Sequence, residues 1–331
     1  MRAQHLTGAG IDGIEQADIP EPEPGPGEVA VRVEATSLNY RDLMMAGRMG
    51  GNRIPLSDGA GVVSAVGDGV AAMSVGDRVA GCFFSHWVDG RVTAATHDAA
   101  LGGSVDGMAA DTVVLPEHGV VPVPTGWTSQ QAATLPCAAL TAWNAMVEGC
   151  QVLAGQTVLL LGTGGVSVFG LQFAKMFGAR AIITSSSDEK LARMTELGAD
   201  VTINYTTTPD WDRAVLDATD GEGADMILEV GGAGTLDKSM NCVRYDGEIA
   251  LIGILTGVQG EVNPRGLVGR SASMRGVYVG SRRMFTDMNA AIAINGLTPV
   301  IDQVFDFEAT KDAYRHLESQ THVGKVVIGH T

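Results

Sequence analysis

A chain of 331 residues is long enough to bury two separate cores. Its net charge of −16 argues against a nucleic-acid partner, because phosphate-backbone binding needs clustered lysine and arginine. Apolar residues reach 45% with only 5% aromatics, so aliphatic cores are expected; no apolar run approaches the roughly 20 residues of a membrane helix, so no membrane partner is expected.

Residues 1–6 lack the apolar core of a signal peptide. The cysteines Cys82, Cys137, Cys150 and Cys242 are dispersed, with no CxxC spacing. They read as free thiols, and a cytoplasmic location is expected. Along the first third, residues 28–35 alternate polar and apolar, as a half-buried strand does. Residues 61–67, 76–81 and 112–115 are further short strands fenced by Gly and Pro, and together they predict a barrel-like β domain. Residues 130–148 have a helical pattern that Pro136 breaks or kinks. Strands at 158–161, 181–184, 201–203, 226–230, 249–252 and 277–279 then alternate with helices at 165–177, 188–197, 210–218 and 235–243. That alternation predicts a doubly wound parallel sheet with helices on both faces. A helix at 282–295 follows. The tail, with strands at 300–305 and 325–328 around a helix at 308–318, is expected to rejoin the first domain. The fold class is therefore α/β, with residues 1–128 and 299–331 forming a β-rich domain and residues 129–298 a Rossmann-type domain.

The strand at 158–161 runs directly into Gly162-Thr163-Gly164-Gly165-Val166-Ser167, and a helix pattern follows. A tight glycine turn at a helix N-terminus presents bare backbone N–H groups to a pyrophosphate. Ser167 replaces the third glycine of the usual fingerprint, so the context of strand, turn, helix and second strand carries the reading. At the end of that second strand, Ser185 stands where NAD enzymes place an acid for the ribose 2′-hydroxyl. Serine does not repel a 2′-phosphate, and Lys190 is placed to neutralise one. NADP(H) is the expected cofactor.

The chain resembles the medium-chain dehydrogenase/reductase superfamily over nearly its whole length. The likeness rests on Ser37-Leu38-Asn39-Tyr40-Arg41-Asp42, Asp58-Gly59-Ala60-Gly61-Val62-Val63, Val75-Gly76-Asp77-Arg78-Val79, Leu135-Pro136-Cys137, the glycine turn, and residues 179–204. The branch it looks most like is the zinc-independent, quinone oxidoreductase-like group. The resemblance implies a GroES-like catalytic domain beside the Rossmann domain. In zinc-binding relatives the catalytic metal is held by a Cys, a His-Glu pair and a second Cys. Those positions match Asn39, Ser57-Asp58 and Cys137 here, so no metal is expected. The resemblance also implies cofactor contacts for Thr141, Val166, Tyr205, Ile252 and Gly253. It implies a homodimer through an edge strand at residues 277–280.

Without a metal to polarise a simple carbonyl, the suitable acceptors are already electrophilic: quinones, or alkenes conjugated to a carbonyl. Hydride addition gives an oxyanion that hydrogen-bond donors stabilise. Asn39, Tyr40 and Arg41 are the candidate catalytic donors, and Asp42 is expected to fix Arg41 or a nearby backbone group. The expected function is NADPH-dependent reduction of such a small molecule, in a crevice between the two domains. Two alternatives stay open: an alcohol or aldehyde dehydrogenase that uses side chains in place of zinc, and a nucleotide-binding relative without catalysis.

Overall fold

The computed structural model describes residues 1–330. Antiparallel pairing organises the first third of the chain. Strands β1 (Arg2–Leu6) and β2 (Ile14–Asp18) form a hairpin, followed by β3 (Glu28–Ser37), β4 (Asp58–Val66), β5 (Arg78–Gly81), β6 (Thr112–Pro116) and β7 (Val120–Pro122). β3 is the hub, because it pairs with β4 and with β6. Its alternating text buries Val29, Val31 and Val33 in a core shared with Leu56, Val63, Met108 and Leu115.

The middle of the chain is a second compact unit, Thr141–Tyr278. Its strands are β8 (Thr157–Leu161), β9 (Arg180–Ser185), β10 (Val201–Asn204), β11 (Ala224–Glu229), β12 (Val243–Leu251) and β13 (Ser273–Gly276). They form one sheet in the order β10-β9-β8-β11-β12-β13, every neighbouring pair parallel. All five residues of β8 are buried, as a strand covered on both faces requires. The order runs outward in both directions from β8 and β11, so the switch point of the doubly wound sheet lies between them.

The tail returns to the first unit, which comprises Met1–Leu140 and the chain from Val279 onward. β14 (Ile301–Asp306) and β15 (Lys325–Gly329) pair with each other, and β15 adds antiparallel to β3 through Val327 and Ser37. The helix Arg282–Asn295 also lies with this unit, where Arg282 Nε donates to Val120 O at 3.1 Å and Asn289 Nδ2 to Pro122 O at 3.1 Å. Pro136 stands in a wide π-type turn, Leu135–Ala139, which accommodates its missing N–H.

One expected strand is displaced. The edge of the parallel sheet is Ser273–Gly276, not 277–279. Val279 takes φ +57°, a left-handed conformation that a pleated strand cannot continue. Elements without a counterpart in the sequence reading include the strands β1, β2 and β7, the helices Tyr40–Arg48 and Arg265–Arg270, and the short helix Ala94–His97. Among the described residues, no helix is long and apolar enough to cross a membrane.

Candidate functional site

Two groups of residues carry chemistry, one in each unit. In the parallel-sheet unit, β8 ends at Leu161 and the helix Gly165–Met176 begins four residues later. Gly162 turns the chain at φ +74°, a conformation glycine adopts without strain. A Cβ built on Gly162 or Gly164 meets nothing within 4 Å, so the space before the turn is open. Gly162 N–H also donates to Thr184 Oγ1 at 3.3 Å, tying the turn to the end of β9. Thr163 is buried, while Gly165 and Val166 are half-buried at the start of the helix. Ser167, in place of the third glycine, donates its hydroxyl to Leu161 O at 2.6 Å. The close helix-on-sheet approach falls instead at Gly170, where a Cβ would come within 2.8 Å of Leu160 and Leu228. This turn lies at the switch point and suits a dinucleotide pyrophosphate.

The end of β9 gathers the residues expected around the adenosine. Ser185 is buried, and its Oγ accepts from Ser187 N–H at 3.3 Å. Ser187 caps the helix Asp188–Glu196 by accepting the Lys190 N–H at 3.3 Å. Tyr205 N–H donates to Ser185 O at 3.0 Å, and the residue is 42% exposed. The structure thus joins Ser185 and Tyr205 at the ends of β9 and β10, with Lys190 in the first turn of the helix that follows β9. The nearest acid, Asp188, accepts from Asn204 Nδ2 at 2.6 Å.

The loops after β11 and β12 are locked to one another. Glu229, wholly buried, accepts from Gly231 N–H at 2.7 Å, Gly232 N–H at 3.0 Å and Thr235 Oγ1 at 2.6 Å, and from the Ser239 hydroxyl. Ile252 N–H and Gly253 N–H both donate to Glu229 O, at 2.8 and 3.2 Å. Thr256 Oγ1 adds a bond to Gly231 O at 2.9 Å. The half-buried Ile252 and Gly253 therefore sit on a rigid support. Thr141 is buried in the helical turn Leu140–Trp143. Glu229 and Gly170 were not singled out from the sequence, although an acid closing an apolar strand just before Gly231-Gly232 is a visible signal for the first.

In the first unit, Asn39 precedes the helix Tyr40–Arg48, and its backbone N–H donates to Asp42 Oδ2 at 2.7 Å. This reciprocal arrangement at the N-terminus explains why a helix starts there. Asp42 is 1% exposed; loss of hydration pushes its carboxyl up to about 6, while Arg41 and the Asn39 N–H pull it back. Arg41 is well occupied: its Nη1 donates to Leu101 O at 3.1 Å and lies 3.7 Å from Asp42 Oδ1, and its guanidinium stacks 4.7 Å from the Phe83 centroid. Tyr40 is half-buried in the first helical turn.

Beside Asn39 lies a residue the sequence reading passed over. Lys325, the first residue of β15, is 2% exposed. Its Nζ donates to Leu38 O at 2.7 Å and Asn39 Oδ1 at 2.6 Å, and it pairs with Asp58 Oδ2 at 3.4 Å. Asp58 is fully buried, and its Oδ1 accepts from Ser57 Oγ at 2.9 Å. Asn39 Nδ2 is buried and makes no hydrogen bond within the protein.

Zinc sites are built from thiolate, imidazole and carboxylate. The four positions that match the metal ligands of zinc-binding relatives offer something else. Asn39 Oδ1 and Asp58 are both engaged by an ammonium, and Ser57 brings only a hydroxyl. Burial, aided by the Asp58 charge, pushes the Cys137 thiol up, away from the thiolate a metal requires. This donor set does not fit a zinc ion. Among the described residues, no three His, Cys, Asp or Glu side chains gather as a metal site.

Comparison with known proteins agrees with both halves of this description. Residues 25–125 match the alcohol dehydrogenase GroES-like domain family, and residues 165–294 match the zinc-binding dehydrogenase family. The chain is 43% identical to a zinc-type alcohol dehydrogenase-like protein of Schizosaccharomyces pombe, over 97% of this chain and 96% of that protein. It is 32% identical to a quinone oxidoreductase of Pseudomonas aeruginosa over 79% of this chain and 76% of that one. A crystal structure of an NAD-dependent alcohol dehydrogenase superposes with a TM-score of 0.91 at 34% identity, covering 100% of both chains. A GroES-like β unit, a doubly wound parallel sheet and a full-length relative at this identity place the chain in the medium-chain dehydrogenase/reductase superfamily of oxidoreductases.

Proposed function

We propose that the protein is an NADPH-dependent reductase that delivers hydride to a quinone or an α,β-unsaturated carbonyl compound without a catalytic metal. The observation that carries this reading is the buried Lys325 ammonium on Asn39 and Asp58, where zinc-binding relatives hold their metal. A second cation beside it would be repelled at close range. The substrate must therefore be electrophilic on its own.

The backbone N–H groups of Gly164 and Gly165, at the N-terminus of the helix Gly165–Met176, are suited to the cofactor pyrophosphate. Ser185 and Lys190 are suited to a 2′-phosphate, because no carboxylate stands at the Ser185 position. Ile252 and Gly253, supported on Glu229, are suited to the nicotinamide end, with Thr141 and Val166 as its further contacts and Tyr205 against the adenosine. A bound nicotinamide supplies the hydride. The acceptor's π electrons move onto its oxygen, Asn39 and Tyr40 donate hydrogen bonds to that oxyanion, and water provides the proton.

A second reading is an NAD-dependent alcohol dehydrogenase without zinc. It is favoured by the name of the structural neighbour at 34% identity. Assays of NADPH and NADH consumption with a quinone, an enone and an aldehyde separate the two. Turnover of the quinone or enone with NADPH supports the first reading; turnover of the aldehyde alone, with NADH, supports the second. Binding of nucleotide without turnover of any acceptor would indicate a non-catalytic relative. The reading extends to a cytoplasmic homodimer paired along the exposed edge strand β13, which light scattering tests by mass.

A further inference from the structure

We infer that Lys325 is the positioning residue of the oxygen site: it holds Asn39 by its amide oxygen and so turns the Asn39 N–H pair toward the substrate's carbonyl oxygen. The inference rests on the proposed reductase activity and names the residue that replaces the metal's electrostatic role.

An ammonium has three N–H donors and no acceptor. Lys325 directs them to Leu38 O, Asn39 Oδ1 and Asp58 Oδ2. Only the oxygen of the Asn39 amide can meet such a donor, so the network assigns the amide orientation without ambiguity. The peptide unit that leads into Asn39 is pinned at both its polar groups as well: Leu38 O by Lys325, and Asn39 N–H by Asp42. With its oxygen and backbone fixed, the side chain has one free function left, the buried Nδ2 without a partner in the protein. A buried amide N–H pair left unsatisfied is costly, and such groups in native structures call for an explanation. A substrate oxygen supplies it once binding opens the enclosed Nδ2.

The charge on Lys325 also strengthens that donor. Hydrogen bonding to the oxygen of an amide draws electrons from its nitrogen, so the N–H groups become better donors. A unit charge thus acts on the developing oxyanion through one intervening amide. Asp58 keeps the buried ammonium paired, and Ser57 holds Asp58 in place. A zinc ion polarises a carbonyl by direct coordination; here a fixed cation does so at one remove. This weaker polarisation matches acceptors that are conjugated already.

Lys325→Met alone leaves Asp58 as an unpaired buried charge and risks unfolding. The test therefore uses the charge-neutral pair Lys325→Met with Asp58→Asn, alongside Lys325→Arg and Asn39→Ala. Two readouts are taken on protein whose melting transition is intact. The first is steady-state reduction of an enone by NADPH. The neutral pair is expected to lose about a hundredfold in kcat, as removal of an oxyanion donor typically does. KM for NADPH should be unchanged, Lys325→Arg should restore most of the rate, and adding Asn39→Ala to the neutral pair should cost little more. The second readout needs no turnover: 4-nitrophenolate, an oxyanion probe, is titrated by its visible absorption. The wild type should bind it and shift its spectrum, and the neutral pair should bind it at least tenfold more weakly.

A folded neutral pair with unchanged kcat and unchanged phenolate binding would overturn the inference, as would fully multiplicative losses with Asn39→Ala. A wild type that turns over no acceptor, yet binds phenolate in a Lys325-dependent way, would remove the reductase reading and leave the oxygen site standing.

Discussion

At the scale of single residues, burial decides what each charged group does. Asp42 holds a proton more tightly in the folded chain than an exposed aspartate, because hydration is lost. A raised folded-state value means that stability is fully present below the unfolded value and is lost as pH rises through about 6. Asp42→Asn should therefore gain on the wild type between pH 4 and 7, by at most about 3 kcal/mol across the range. Melting temperatures of the two proteins at stepped pH read this directly, and a constant difference would refute it. Ser185→Asp places a carboxylate at the end of β9, where a 2′-phosphate is proposed. NADPH affinity should fall at least tenfold while NADH affinity changes little, measured by fluorescence titration; an equal fall for both would count against the assignment. Ser185, Lys190 and the glycine turn were legible because their signal is local. Lys325 was not. Its partners Asn39, Leu38 and Asp58 lie 286, 287 and 267 positions away, and no periodicity announces such a meeting.

Elements were readable wherever hydrophobic period and punctuation agreed. The four inner strands of the parallel sheet carry dense aliphatic text, and the helix Gly165–Met176 opens on glycine, so both stood out. The helix Tyr40–Arg48 did not, although it is amphipathic, because its apolar text is the single short run Leu43-Met44-Met45-Ala46. Its one clear sign was Asn39 with Asp42 three residues later. β13 was misplaced for a related reason. Ser273-Met274-Arg275-Gly276 has no apolar run, and its register is set by β12 rather than by its own residues. Among the loops, the Glu229 clamp is the element-level feature with the largest expected effect. Glu229→Ala removes bonds from Gly231, Gly232, Thr235 and Ser239 to a buried carboxylate. A loss of about 3 kcal/mol in stability is expected. Weaker NADPH binding should accompany it, because the loops after β11 and β12 then lose their common support. Calorimetry and nucleotide titration check both effects, and normal affinity in a destabilised variant would separate the clamp from the cofactor.

For the molecule as a whole, the return of the tail to the first unit joins fold and chemistry. β15 completes the sheet on β3 and in doing so delivers Lys325 to Asn39. The sequence reading anticipated that the tail rejoins the first unit, but not that it carries a cation to the site, because that follows from strand register. In the proposed reaction, hydride transfer proceeds with a fixed ammonium in place of a metal. The most direct test is NADPH-dependent reduction of an enone by protein dialysed against a strong chelator, with zinc content measured on the same sample. Full turnover is expected at far less than one zinc per chain, with no gain on adding zinc. Activity that disappears on chelation and returns with stoichiometric zinc would contradict it.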